Sequence, residues 1–304
     1  MNSNSIYVII RFMKCNTCPR KCNIDRKLHE GFCSSGEELR VARAGLHMWE
    51  EPCISGQAGS GTIFFTGCNL KCIFCQNHEI SGGGAGHTVS TERLAEVMIE
   101  LQNKKANNIN LVTAGHFLDK VCDTIILARK KGLNIPIVYN TSSYESVEAI
   151  QKLEGLVDVY LPDFKYYDDN LALKYSKAGG YRDIASGAID EMVRQCGHAE
   201  YNAEGIMTRG VIVRHLVLPQ HTKDSMKILG YLHERYGDKI SISIMNQYTP
   251  VRECAEYTNL NRKVTPREYD KVCNYAIEIG IENGFFQEGD VALQSFIPEF
   301  DFNG

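Results

Sequence analysis

Three cysteines within eight residues constrain this chain more than any other feature of its sequence. Cys68, Cys72 and Cys75 follow the spacing Cys-x3-Cys-x2-Cys, directly after a short apolar run. With 12 cysteines in 304 residues, one fixed triple spacing is expected by chance only roughly 0.02 times. Three thiolates on one tight loop can hold three irons of a cubane [4Fe-4S] cluster, which ordinarily takes four cysteine ligands. One iron would then have no protein ligand and would be open to chemistry.

This loop and the strand-like run before it, residues 62–67, resemble the cluster loop of the radical S-adenosylmethionine (SAM) superfamily. Within it, the segments 15–33, 49–56 and 75–81 resemble a largely uncharacterised branch named as homologues of the pyruvate formate-lyase activating enzyme. The resemblance covers nearly the whole chain. It implies that the open iron binds the amino and carboxylate groups of SAM. One electron from the cluster would then cleave the sulfonium to methionine and a 5'-deoxyadenosyl radical, while the protein positions the cofactor.

A second group of cysteines precedes the loop, in a segment with little periodic apolar pattern. Cys15, Cys18, Cys22 and Cys33 follow the spacing Cys-x2-Cys-x3-Cys-x10-Cys. Such a segment cannot build a core of its own, so a metal is expected to hold it together. Tetrahedral zinc and an auxiliary Fe-S cluster both fit four thiolates. The spacing departs from the paired knuckles of a zinc ribbon and favours the cluster, but zinc and four free thiols remain alternatives.

From residue 61 onward, strand-like apolar runs alternate with amphipathic helical stretches. The alternation predicts an α/β fold of parallel strands joined by crossover helices. Six such strands form a partial (β/α)6 TIM-like barrel, short of the eight that close a full one. We therefore predict a cysteine-rich metal-binding segment at residues 1–60 and a barrel at residues 61–304. Chemistry in such sheets lies at the carboxyl ends of the strands, which is where the three-cysteine loop falls.

Polar residues stand at the ends of the predicted strands, where they would face the cluster. The resemblance assigns roles to several of them. Asp163 and Lys165 are similar to the Asp-x-Lys strand end of glycyl radical activating enzymes, whose lysine approaches the SAM carboxylate. Asn140 and Thr141 resemble a Thr-Asn-Gly strand end near the ribose and methionine of SAM. Arg214 begins a match to an Arg-x-x-Val-x-Pro strand.

The predicted site follows from these strand ends. We predict catalytic roles for Lys165, Arg214 and His215, and SAM binding by Thr113, Asn140, Thr141, Asp163, Lys165 and Arg214. One departure from the superfamily concerns the Gly-Gly-Glu that often holds the SAM amino group. That place reads Val112-Thr113-Ala114-Gly115 here, so Thr113 and backbone carbonyls would have to substitute. The competing interpretations are a solvated surface pair for Asp163 and Lys165, and a buried core residue for His215.

Composition excludes several other classes of protein. A net charge of −4 and a pI near 6.2 give no broad basic face, which argues against a nucleic-acid partner. No run approaches the ~18 apolar residues of a membrane span. The thiols cluster at ligand spacings instead of spreading as a disulfide framework, and no signal peptide is recognised. We expect a cytoplasmic protein in a reduced compartment.

The sequence therefore predicts a radical SAM enzyme that abstracts hydrogen from an unidentified substrate. In one version it is an activase-like oxidoreductase that acts on the glycine loop of a glycyl radical enzyme. The metal-type cysteines that precede the cluster loop argue against this version, because activases usually carry extra clusters in an insert after the loop. In a second version the substrate is a small molecule or a peptide. A third alternative is a non-catalytic Fe-S or zinc protein for electron transfer or scaffolding. Either enzyme needs an electron donor such as a flavodoxin or ferredoxin.

Overall fold

The computed structural model describes residues 14–251 and 253–287. The ends of the two predicted parts, residues 1–13 and 288–304, lie outside the described residues. The strands are β1 Arg40–His47, β2 Ser60–Phe65, β3 His87–Thr88, β4 Ile109–Val112, β5 Ile137–Thr141, β6 Val159–Pro162, β7 Glu200–Tyr201, β8 Met207–Leu216, β9 Ser241–Met245 and β10 Gly284–Phe286. The helices are α1 Pro52–Ser55, α2 His78–Ser81, α3 Thr91–Asn103, α4 Leu118–Lys130, α5 Val147–Gln151, α6 Asp169–Ser176, α7 Tyr181–Cys196, α8 Thr222–Tyr236 and α9 Pro266–Glu278.

One mostly parallel sheet organises the molecule. Its strands run in the order β10-β9-β8-β6-β5-β4-β2-β1-β3, and β7 pairs with β8 outside this path. The six strands β2, β4, β5, β6, β8 and β9 are parallel neighbours, and β10 adds a short parallel strand beside β9. In the described part of the chain the order has two ends, as a partial barrel requires. The predicted α/β partial barrel is confirmed.

The strands and helices form where burial and capping favour them. Strands β2, β4 and β5 are buried along their whole length, because helices cover the outer face of the sheet and its inner face turns towards the interior of the partial barrel. Helix α3 begins after Ser90, whose side chain accepts the amide of Arg93 at 3.1 Å. Helix α9 begins with a capping box between Thr265 and Glu268, a pattern that satisfies two free backbone amides. No helix among the described residues is both long and apolar enough to span a membrane.

Strand β1 was not predicted from the sequence. It runs antiparallel to β2, from Val41 opposite Phe65 to His47 opposite Ser60. Its sequence, RVARAGLH, carries three basic residues and a glycine, so it lacks the β-branched run that marked the other strands. The sheet therefore includes residues that fall in the predicted N-terminal segment, and the boundary near residue 60 stays a prediction.

Candidate active site

A cavity of about 230 Å³ lies at the carboxyl ends of the parallel strands. It is lined by the loop after β2, by the ends of β4, β5, β6, β8 and β9, and by Gln247 after β9. The predicted residues that line it are Cys68, Cys72, Cys75, Thr113, Asn140, Thr141, Asp163, Lys165 and Arg214. Residues up to 146 positions apart in sequence are thus brought together, as expected for an α/β sheet whose chemistry lies at this edge.

The three-cysteine loop is fixed to its surroundings by backbone hydrogen bonds. Gly67 turns the chain out of β2 with a φ of +91°, a conformation that favours glycine. Further along, the amide of Ile73 donates to the carbonyl of Tyr175 at 2.9 Å, and the amide of Cys75 donates to the carbonyl of Cys72 at 3.2 Å. These contacts hold the loop against α6, with its three thiols on the cavity wall.

The electrostatics of the loop fit a bound metal cluster. Burial is the main cause that raises the pKa of Cys68 to about 12 and that of Cys72 to about 11, and neighbouring thiols contribute to both values. Three thiolates so close together would repel one another, and a metal cluster supplies the positive charge that they need. The hydroxyl of Ser176 also donates to Cys72 Sγ at 2.9 Å. The residues present therefore fit three ligands of a cubane, on the chemistry of the donor set.

The described thiols do not converge on a single ion. Among residues 14–251 and 253–287, no three Cys, His, Asp or Glu side chains are grouped closely enough to hold one metal ion. A zinc ion would need its sulfurs about 2.3 Å from one point. A cubane places each thiolate on a different iron, so its ligands need no common point.

A network of ion pairs forms the opposite wall of the cavity. Arg214 donates through Nη1 to Glu50 Oε2 at 3.0 Å, through Nη2 to Asn140 Oδ1 at 2.6 Å, and through Nε to Asp163 Oδ1 at 3.0 Å. The other oxygen of Asp163 accepts Lys165 Nζ at 2.6 Å. The guanidinium is thus oriented by the ends of β5 and β6 and by the segment that follows β1.

Asp163 and Lys165 of this network are charged although they are buried. Burial alone would raise the pKa of Asp163, but Lys165 and Arg214 outweigh it and lower that pKa. Burial alone would lower the pKa of Lys165, but Asp163 and then Cys72 outweigh it and raise that pKa. The side chains of Lys165 and Asp163 are only 19% and 16% exposed, so the interpretation as a solvated surface pair does not hold.

Two further carboxyls lie beside Arg214. Burial raises the pKa of Glu50 and of Glu51, although the positive charge of Arg214 opposes this. One oxygen of Glu51, Oε2, is buried without a hydrogen-bond partner. The site therefore holds more carboxyl groups than cations, which suits a ligand that carries positive charge.

Thr113, which follows β4, has a strained backbone. Its φ is +60°, which is rare for a β-branched residue and costs of order 1–3 kcal/mol. Its amide donates to the carbonyl of Asn140 at 2.9 Å, and the residue lines the cavity. The neighbouring Thr141 donates its hydroxyl to Glu145 Oε1 at 2.9 Å. Burial raises the pKa of Glu145 to about 7.

His215 is the one predicted strand-end residue that does not line the cavity. It is 2% exposed, and its ring nitrogens bond the carbonyl of Phe164 at 2.8 Å and the hydroxyl of Ser225 at 2.9 Å. Side chains alternate between the two faces of a strand, so His215 points away from the face that carries Arg214. Burial lowers its pKa to about 4. The placement agrees with the alternative of a core histidine.

The four N-terminal cysteines form a separate group next to the three-cysteine loop. Cys18 and Cys33 are buried, whereas Cys15 and Cys22 are half-buried. A Cβ at Gly31 would lie 3.4 Å from Cys33 Sγ and 3.6 Å from Cys22 Sγ. Burial raises the pKa of Cys18 to about 12, and the charges of Glu145, Cys33 and Cys15 add to this effect. All four thiols therefore face a common region.

Sequence reasoning missed the residues that β1 and the segment after it bring to the cavity. His47, Trp49 and Glu50 all line it, although only a resemblance drew attention to residues 49–56. Adjacent carboxyls are usually exposed, so no local pattern indicated that Glu50 and Glu51 would both be buried.

The fold and the site together define a class of protein: a partial α/β barrel with a three-cysteine loop on an ion-paired cavity at its strand ends. Residues 62–232 match the family described as the Radical SAM superfamily. An uncharacterized protein of Methanocaldococcus jannaschii is 31% identical over 282 residues, which cover 89% of this chain and 76% of that protein. The chain belongs to the radical SAM superfamily, which implies a [4Fe-4S] cluster and SAM as cofactors.

Solved structures with the same fold are distant in sequence. HydG, a maturase of the [FeFe]-hydrogenase, aligns with a TM-score of 0.52 and 14% identity over 76% of this chain and 52% of HydG. A radical SAM methyltransferase from Sphaerobacter thermophilus aligns with a TM-score of 0.52 and 14% identity over 75% of this chain and 66% of that chain. Streptococcus suis SuiB, bound to its precursor peptide SuiA, has a TM-score of 0.50 and 13% identity over 74% of this chain and 47% of SuiB. The chain thus spans about half the length of HydG and of SuiB.

Proposed function

We propose that this radical SAM enzyme holds its [4Fe-4S] cluster with Cys68, Cys72 and Cys75 and binds SAM in the adjoining cavity. The observation that carries the proposal is that the three thiols and the charged strand ends line one cavity. When bound, the cluster supplies one electron that cleaves SAM to methionine and a 5'-deoxyadenosyl radical, which abstracts hydrogen from the substrate. The remaining roles belong to the side chains of the chain itself.

Lys165 and Arg214 are proposed to orient SAM. Lys165 lies close enough to Cys72 for the two to influence each other's pKa, so its ammonium stands between the cluster loop and the strand ends. A cation in that place pairs with the SAM carboxylate. Asp163 holds both Lys165 and Arg214 in position. Asn140, Thr141 and the strained Thr113 complete the contacts, with the carbonyl of Thr113 in place of the missing glutamate.

For the four N-terminal cysteines we propose an auxiliary Fe-S cluster. We also propose that the segment that carries them is a unit distinct from the barrel. The support is the spread of the thiols, which face one region without converging on one ion. Metal analysis of a Cys68→Ala/Cys72→Ala/Cys75→Ala protein tests this. Retained iron supports the cluster, and retained zinc or no metal contradicts it.

The first candidate for the substrate is the glycine loop of a partner glycyl radical enzyme. A protein substrate needs an accessible site, and the cavity is bordered by Trp49, which is 58% exposed. A small molecule or a peptide is the second candidate. Of the structures with this fold, SuiB is bound to a peptide.

Anaerobic reconstitution tests the reaction itself. With SAM and a low-potential reductant, the wild-type protein should yield 5'-deoxyadenosine, and Cys72→Ala should abolish the product. Cys122→Ala, on α4 and outside both cysteine groups, is the matched control and should retain the activity. A wild-type protein that loads a cluster but makes no 5'-deoxyadenosine would favour an electron-transfer or scaffold protein instead.

A glycyl radical signal distinguishes the two substrate candidates. The activase reaction predicts a glycyl radical in the EPR spectrum only when enzyme, SAM, reductant and a glycyl radical enzyme are all present. Formation of 5'-deoxyadenosine without that signal, against every glycyl radical enzyme of the same genome, would leave the small-molecule or peptide substrate.

A further inference from the structure

The two cysteine groups are joined by a direct hydrogen bond between members of each. The backbone amide of Cys68 donates to the backbone carbonyl of Cys33 at 3.1 Å. Both residues are proposed cluster ligands, so one hydrogen bond and a few covalent bonds connect a thiolate of one group to a thiolate of the other. Electronic coupling between redox centres falls steeply with distance and is carried better by bonds than through space. This contact therefore gives the two groups a direct hydrogen-bonded connection.

The contact is held rigidly by the segments on either side. Ser35 donates to the carbonyl of Thr66 at 3.3 Å, Lys71 donates to Ser34 Oγ at 2.9 Å, and Arg20 Nε donates to the carbonyl of Asn69 at 2.8 Å. The absence of a side chain at Gly67 allows the three-cysteine loop to approach residues 33–35 closely. A Cβ there would lie 2.6 Å from the Cys33 carbonyl oxygen and 2.2 Å from Ser35 Oγ.

The four-cysteine group also has an outer and an inner side. Cys15 and Cys22 are half-buried, whereas Cys18 and Cys33 are buried, and Cys33 is the one that contacts the three-cysteine loop. Residues 14–31 carry five lysines and arginines against two acidic residues, in a chain whose net charge is −4. Lys14, Lys21 and Lys27 are exposed. The outer side therefore suits a negatively charged partner.

We infer that the four-cysteine group is the relay through which the electron reaches the SAM-cleaving cluster, by way of Cys33 and Cys68. The inference rests on the proposed function, because it requires both Fe-S clusters. One electron leaves a reduced, acidic, low-potential carrier protein of the flavodoxin or ferredoxin class and is held by the cluster of the four-cysteine group, here called the outer cluster. It then passes to the SAM-cleaving cluster, here called the inner cluster. The carrier is oxidised by one electron, the inner cluster is reduced by one electron, and no covalent bond or proton changes.

The test measures reduction of the inner cluster rather than turnover. Cys15→Ala/Cys22→Ala removes outer ligands and leaves the cavity untouched, and Cys122→Ala/Cys273→Ala removes two thiols outside both groups as the control. Iron should fall from about eight to about four per chain in the first variant only. Freeze-quench EPR then follows the signal that changes on addition of SAM, with either a reduced flavodoxin or Ti(III) citrate as the reductant.

We expect the flavodoxin to reduce the inner cluster at least tenfold more slowly in the first variant, while Ti(III) citrate reduces it fully in both. Lys14→Glu/Lys27→Glu, which retains all seven cysteines, should slow only the flavodoxin reaction. Reduction by flavodoxin at the wild-type rate in the first variant would overturn the relay.

A measurement on the wild-type protein needs no variant. Two fully reduced clusters joined through Cys33 and Cys68 should show magnetic interaction in the EPR spectrum, and two independent signals would contradict the inference. Zinc in the four-cysteine group would also overturn the relay, since zinc has no redox chemistry. A different result would contradict the proposed function: the wild-type protein would show no EPR signal that changes with SAM and would form no 5'-deoxyadenosine.

Discussion

At the scale of single residues, the site depends on buried charges that hold one another. Lys165, Asp163 and Arg214 are ionised in a cavity that would otherwise favour their neutral forms. Removing one member leaves its partners buried without full compensation, which costs more than the pair itself contributes. A substitution at one of these residues is therefore expected to lower the stability of the protein as well as to weaken ligand binding.

Lys165→Met is expected to weaken SAM binding. It removes the cation proposed for the SAM carboxylate while Asp163 keeps its contacts with Arg214. The loss should be about 2 kcal/mol, roughly thirtyfold in Kd, as measured by titration of the SAM-dependent EPR signal. Lys152→Met, at an exposed ion pair with Asp119, should leave Kd unchanged. An unaltered Kd in Lys165→Met would remove this residue from the site.

His215 gives a prediction about pH. Because burial lowers its folded pKa to about 4 from about 6.5 in the unfolded chain, the unfolded state binds more protons between these values. Its contribution to stability is thus complete above pH 6.5 and is lost as the pH falls. His215→Asn should remove about 1 kcal/mol of the difference in unfolding free energy between pH 7 and pH 5.5. The exposed His198→Asn should not, and 5'-deoxyadenosine formation should persist in both; its abolition in His215→Asn would restore the catalytic interpretation.

At the scale of elements, the local patterns were predictable and the contacts between distant elements were not. The six parallel strands and the polar residues Thr113, Asn140, Asp163 and Arg214 at their ends follow from runs of a few residues. Strand β1 has no such run, and its outer neighbour β3 is two residues long. The contact between Glu50 and Arg214 depends on the curvature of the whole sheet. No pattern of a few neighbouring residues predicts that curvature.

Helix α6 contributes a hydroxyl to the cluster loop, and this predicts a shift in redox potential. The hydroxyl of Ser176 is hydrogen-bonded to the hydroxyl of Tyr166 at 2.6 Å, and it donates to Cys72 Sγ at 2.9 Å. Hydrogen bonds to the ligand sulfurs stabilise the reduced, more negative cluster. Ser176→Ala should lower the midpoint potential by about 40 mV, which corresponds to a hydrogen bond of about 1 kcal/mol. Ser186→Ala, a buried serine on α7, is the control, and an unchanged potential in Ser176→Ala would exclude this hydrogen bond.

At the scale of the whole molecule, the cysteine-rich segment is hydrogen-bonded to the loop that carries the three cysteines. The segment has few apolar residues of its own, yet it donates and accepts hydrogen bonds along residues 66–71. The sequence predicted the metal-binding character of this segment from cysteine spacing. It could not predict where the segment would dock, because Ser35, Thr66 and Asn69 carry no pattern that marks a contact.

If the four-cysteine group holds the proposed metal, its loss should loosen the three-cysteine loop. Cys18→Ala/Cys33→Ala should speed hydrogen exchange in residues 31–36 and also in residues 66–71, because a segment without a core of its own depends on the metal. The helix α9, Pro266–Glu278, serves as an internal reference and should exchange at its original rate. Faster exchange in the first stretch alone would show that the loop holds its shape without the segment.

The bond between Glu50 and Arg214 has a consequence for the depth of the cavity. Glu50 follows β1, and Arg214 lies on β8, with β2, β4, β5 and β6 between the two strands in the sheet. This contact of 3.0 Å passes through the interior of the partial barrel, where Asn110 and Asn140 also donate to Glu50. Because β1 ends opposite the start of β2, the segment that carries Glu50 enters from the amino ends of the parallel strands. It therefore forms the floor of the cavity and limits how deeply a ligand can reach between the strands.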